Sequence, residues 1–144
     1  MSGHARLAVV VGAAAWLAAC GPTEQDLAVR QWTDDMSFRI YSDPVPPPAR
    51  EAIRYRVVVR DSKTGQPVEG GEGRIFASTR EGQSTWDSLE EGQELGTYYA
   101  KLNFVTAGEW AMALQFHRDS TRRLDRMDWM QQVFPERPDI PQKP

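Results

Sequence analysis

Gly96-Thr-Tyr98-Tyr-Ala100-Lys-Leu102-Asn-Phe104, followed closely by Gly108-Glu-Trp110-Ala-Met112-Ala-Leu114-Gln-Phe116-His117, sets the period of this chain. Tyr98, Ala100, Leu102 and Phe104 alternate with Tyr99, Lys101 and Asn103. Trp110, Met112, Leu114 and Phe116 alternate with Ala111, Ala113, Gln115 and His117. Successive strand side chains point to opposite faces, so each run reads as a strand with one buried side. The link Thr106-Ala-Gly108-Glu between them predicts a hairpin. The same period recurs upstream. Met36, Phe38 and Ile40 alternate with Ser37, Arg39 and Tyr41, and Ile53, Tyr55, Val57 and Val59 with Arg54, Arg56, Val58 and Arg60. Gly73–Thr79 and Met127–Phe134 are weaker strand candidates, and residues 80–95 leave room for a short strand around Trp86. No long segment after Cys20 shows a capped 3.6-residue period. The expectation is an all-β fold, an antiparallel β-sandwich of about seven strands.

The connections carry turn chemistry. In Asp61-Ser-Lys-Thr-Gly65-Gln-Pro67, glycine supplies positive φ and proline stops pairing. Pro44, Pro46, Pro47 and Pro48 predict a stiff connection where the chain changes sheets. Prolines at 135, 138, 141 and 144 predict an extended tail over 135–144. The folded domain is expected over 32–134.

The first residues read as an export signal. One arginine, Arg6, precedes an uncharged apolar run from Leu7 to Ala19, which is too short to span a bilayer. It ends in Leu17-Ala18-Ala19-Cys20, which resembles the lipobox of bacterial lipoprotein precursors. The resemblance implies a signal peptide over 1–19, cleavage before Cys20, and a diacylglyceryl group on its thiol; residues 20–31 then form the lipidated cysteine and a tether. More than one acyl chain gives stable anchoring, since each buried methylene contributes about 0.8 kcal/mol. Cys20 is the only cysteine of the 144 residues, so an intramolecular disulfide is excluded and lipidation accounts for the thiol. Gly21 in place of Asp, by resemblance to enteric lipoproteins, favours the outer membrane, on its periplasmic face. Cleavage would remove one arginine and no acid, making the mature chain one charge more negative than the formal −3 of the whole. That balance does not favour nucleic acid.

A second resemblance covers about residues 38–134. Val57-Val-Val-Arg-Asp61, Thr64-Gly65-Gln-Pro67-Val68, Gly96-Thr-Tyr98-Tyr-Ala100 and Gly108-Glu-Trp110 are similar to the pattern of the small extracytoplasmic domains called YtkA-like or FixH-like. It implies an immunoglobulin-like sandwich, a role in membrane-protein assembly, and on the FixH side copper handling around respiratory oxidases. The chain departs from FixH proteins in having a lipobox where they have a membrane helix. It also lacks the Met-rich segment that some relatives carry after the Gly-x-Pro-Val turn.

Soft-metal chemistry would need thioether or imidazole ligands, and the candidates are His117, Met127 and Met130. Met36 and Met112 fall on apolar faces and read as core. Met127 and Met130, three apart, converge only if their region is a turn or helical piece. No Gly-x-Ser-x-Gly elbow, zinc spacing or phosphate-binding glycine loop is present, and the acidic pairs Asp34-Asp35 and Glu90-Glu91 lie in polar links. The chain is therefore read as no enzyme and as needing no cofactor. Arg54, Arg56 and Arg60 share one strand face, a second group (Arg118, Arg122, Arg123, Arg126) follows another strand, and Tyr41, Tyr99 and Trp129 are expected to be partly exposed. Arg54, Arg56, Arg60 and Tyr99 form the expected partner surface. The expected function is a lipid-anchored, non-catalytic periplasmic module that binds a protein partner or supports envelope assembly. The alternative is a periplasmic copper-binding protein linked to oxidase assembly.

Overall fold

The computed structural model describes residues 27–136. The expected signal peptide, Cys20, and most of the tether and tail lie outside the described residues. The described residues form an all-β, immunoglobulin-like sandwich of nine strands: β1 (Val29–Trp32), β2 (Met36–Asp43), β3 (Ala52–Asp61), β4 (Glu72–Ser78), β5 (Ser84–Ser88), β6 (Glu90–Glu91), β7 (Thr97–Asn103), β8 (Gly108–His117) and β9 (Asp125–Val133). One sheet has the order β1-β2-β3-β7-β6 and the other β5-β4-β8-β9, with every pairing antiparallel. No helix among the described residues is long and apolar enough to cross a membrane.

The alternating residues do what their period demands. Phe38, Ile53, Val57, Tyr98, Leu102, Trp110, Leu114 and Phe116 are all buried between the sheets. Full burial of such a side chain contributes about 1.5–3 kcal/mol. Phe116 meets Phe38 and Tyr98 edge-on, with centroids 5.6 and 5.2 Å apart, so it joins the two sheets.

Four expectations need correction. First, β7 and β8 do not form a hairpin: β7 pairs with β3 and β6, β8 with β4 and β9. The link between them arches from one sheet to the other. Two strands that each have a complete apolar face bury both faces best by standing opposite each other, and Phe104 and Trp110 close the arch with centroids 5.0 Å apart. The Trp110 indole N–H donates to the Thr106 carbonyl at 3.0 Å, and Gly108, at φ 122°, supplies the bend. Second, the proline segment does not change sheets. β2 and β3 are direct neighbours, with Asp43 opposite Arg54. The segment instead stitches the sheets: Phe134 N–H donates to the Pro47 carbonyl (2.9 Å), and Ala49 N–H to the Phe134 carbonyl (2.8 Å). Third, the first strand of the described residues starts at Val29, inside the expected tether, because β1 adds to the edge of β2. Fourth, nine strands replace about seven. The additions β1 and β6, of four and two residues, are too short to show a period.

The turn after β3 is held by its aspartate. Asp61 Oδ1 accepts from Lys63 N and Thr64 N at 2.9 Å each, and Oδ2 from the Arg118 guanidinium at 2.8 Å. These donors, the Thr64 amide first, hold the Asp61 carboxyl well below the usual carboxylate range.

Candidate functional site

The outer face of the five-stranded sheet brings cations and aromatics together. Its rows follow from the register. Tyr41 of β2 stands opposite Arg56 of β3, which stands opposite Tyr99 of β7, which stands opposite Glu90 of β6. On one side, Arg54 lies between Asp43 and Lys101; on the other, Arg30 and Arg39 are neighbours. All these residues have the parity opposite to the buried set, so the strand period that builds the core also builds this face.

The guanidiniums lie on the rings. Arg56 sits over Tyr41 at 4.1 Å from the ring centroid, and Arg54 over Tyr99 at 4.4 Å. Such contacts contribute about 0.5–1 kcal/mol at exposed sites. Here they also fix the planes of the two guanidiniums on the sheet face. Tyr41, Arg54, Arg56 and Tyr99, together with Asp43, Ser42, Leu27 and Val45, line a depression of about 450 Å³. Next to it, around β6, Asp87, Glu90 and Glu94 stand beside Arg54 and Lys101 in a second depression, while Glu91, opposite the buried Tyr98, accepts from Gly70 N at 3.0 Å. The face thus carries both signs of charge, with arginines most numerous over β1 to β3 and carboxylates toward β6.

Of the expected partner surface, the structure brings Arg54, Arg56 and Tyr99 together. Arg60 shares their face but donates to the Gly65 carbonyl at 3.1 Å, in the turn after β3. Tyr41 belongs to the depression. Trp129 is half-buried, as expected, but on the inward side of β9, packed against the core. Sequence reasoning left out Arg30, Arg39 and Lys101; parity along β2 and β7 was the signal for the last two. Of the second arginine group, three are paired: Arg118 with Asp61, Arg123 with Asp125 and Arg126 with Asp128.

The three candidate metal ligands are not brought together. β9 is an extended strand at both methionines, so Met127 is buried at 5% exposure and Met130 points outward at 56%. His117 Nδ1 is 2.6 Å from the Asp119 carbonyl, and Nε2 is 3.5 Å from Glu72. Among the described residues no group of three His, Cys, Asp or Glu side chains is placed to hold a metal ion. Cys20 lies outside the described residues.

The fold is similar to the crystal structure of a DUF4426 family protein from Pseudomonas aeruginosa PAO1, with a TM-score of 0.59 and 13% sequence identity. The alignment covers 78% of this chain and 98% of that one. At that identity the likeness extends to the β-sandwich alone. No family model matches the chain, and no curated protein matches it.

Proposed function

We propose that this chain is a bacterial lipoprotein, anchored through lipid on Cys20 at the periplasmic face of the envelope. In this reading its sandwich binds a protein partner through the outer face of the β1-β2-β3-β7-β6 sheet and catalyses nothing. The observation that carries the proposal is the row Tyr41–Arg56–Tyr99 with Arg54 beside it. It places two ring-supported guanidiniums over a depression of about 450 Å³ on a chain whose net charge is −3. Aromatic residues and arginine are enriched in protein interfaces, and an acidic flank beside a cationic centre favours one orientation of a complementary partner. The lipobox resemblance supports the anchor. The YtkA-like or FixH-like resemblance supports membrane-protein assembly as the setting, and its turn residues have structural work in this fold: Asp61 holds the turn after β3, and Gly108 bends the arch.

The test is a photo-crosslinking amino acid at Tyr99, with one at Trp86 on the opposite sheet as control, in the full chain expressed in a bacterial envelope. A discrete adduct from position 99, absent from 86 and lost in Arg54→Glu/Arg56→Glu, is expected. Equal labelling from both positions would remove the proposed surface. The anchor is tested separately by metabolic labelling with a radioactive fatty acid, which Cys20→Ser must abolish.

A further inference from the structure

The outer face of the five-stranded sheet is charged against the balance of the chain. Among the described residues, its outward strand positions hold six cations, Arg30, Arg39, Arg54, Arg56, Arg60 and Lys101. Two carboxylates, Asp43 and Glu90, stand among them. The whole chain carries −3, so this face is positive on a negative molecule. Like charges gathered on one face repel one another, and an anionic group brought to that face relieves the repulsion. The described chain begins on this face: Leu27 lines the depression together with Arg54 and Arg56.

The segment just upstream, residues 21–26, reads Gly-Pro-Thr-Glu-Gln-Asp and lies outside the described residues. It carries two carboxylates, Glu24 and Asp26, and no cation. Asp26 adjoins Leu27, and Glu24 precedes Leu27 by three positions, a reach of at most about 11 Å in an extended chain. Connectivity alone therefore holds both carboxylates near the two arginines, at an effective concentration of at least the millimolar order. Asp43 stands opposite Arg54 and offsets part of its charge, yet the face as a whole keeps a positive surplus. We propose that segment 21–26 docks into the arginine–tyrosine depression through Glu24 and Asp26 and covers it until a partner displaces it. A partner that enters must then bring anionic groups of its own to replace these two, which selects acidic surfaces over neutral ones. That consequence rests on the partner surface proposed above; the docking of the segment does not.

The experiment uses the full chain extracted from bacterial membranes in detergent, with the photo-crosslinking amino acid at Tyr99 and no partner present. Proteolysis and tandem mass spectrometry are expected to find an intrachain adduct between position 99 and residues 21–26. Glu24→Gln/Asp26→Asn is expected to abolish it, and so is salt at about 0.5 M, which screens exposed charges. Both substitutions lie ahead of β1 and leave the strands untouched. Without the crosslinker, the double variant is expected to bind a tetraglutamate peptide about three- to tenfold more tightly than the parent, by calorimetry at low salt, because the depression no longer has to be cleared. Three results overturn the proposal: no adduct to residues 21–26, an adduct that persists in the double variant or at high salt, or peptide binding that is equal or absent in both chains. An adduct to a separate protein in the envelope adds that protein's mass and is scored apart, so the docked segment and the partner surface fail independently.

Discussion

Single residues decide whether this sandwich closes. Gly96 has φ 70°, and a Cβ there would stand 2.8 Å from the Val59 carbonyl oxygen and 2.7 Å from Pro67 Cβ. Gly96→Ala therefore combines backbone strain with a steric clash, and denaturant unfolding is expected to show a loss of about 1–3 kcal/mol. Two residues on, the Tyr98 hydroxyl donates to the Val68 carbonyl (2.7 Å) and accepts from Gly71 N (3.0 Å). Tyr98→Phe leaves both backbone groups without this partner and is expected to cost about 1–3 kcal/mol, with the fold kept. The pattern Gly-x-Tyr at 96–98 showed in the sequence as a turn followed by a core aromatic. What no pattern could show was the destination of the hydroxyl, because Val68 and Gly71 approach Tyr98 only once β3 and β4 lie in different sheets.

At the level of elements, period-two alternation located β2, β3, β7 and β8 and the inward face of each. It also placed Arg54, Arg56 and Tyr99 on one side before any contact was known. It could not choose between a hairpin and an arch for β7 and β8, since the two differ in which strands pair and not in which residues alternate. Asp61 shows how the crossings are secured. It holds its own turn and, through Arg118, the segment that follows β8 in the other sheet. Its carboxyl is held below the ordinary range, so its stabilisation is present above the unfolded value near 3.9 and is lost as pH falls below that. Asp119, bonded by the Thr121 hydroxyl and amide, shifts in the same direction. Denaturation midpoints are thus expected to fall from pH 5 to pH 2, and Asp61→Asn is expected to flatten part of that slope. An unchanged slope in Asp61→Asn would show that other carboxylates carry the acid response.

For the whole molecule, the two faces of one sheet divide the work. The inner face supplies the core, and the outer face gathers cations that the net charge conceals. Double reversal at Arg54 and Arg56 is expected to leave the melting temperature within about 2 °C of the parent, since exposed ring contacts contribute little to folding, while abolishing the crosslink from position 99. A Cu(I) titration against a chromophoric chelator is expected to show no competition, because β9 separates Met127 from Met130. Tight binding lost in His117→Ala would require a rearranged strand.

Leu27 is one of the residues that line the arginine–tyrosine depression. It stands seven positions after Cys20, a reach of at most about 25 Å when fully extended. With lipid on that cysteine, the depression is leashed within roughly one domain diameter of the bilayer. Encounters are then confined to a thin layer, in which a membrane-borne partner is met at an effective concentration in the millimolar range. Weak intrinsic affinity suffices under that confinement, and release of the leash, without any change to the surface, would be enough to part the pair.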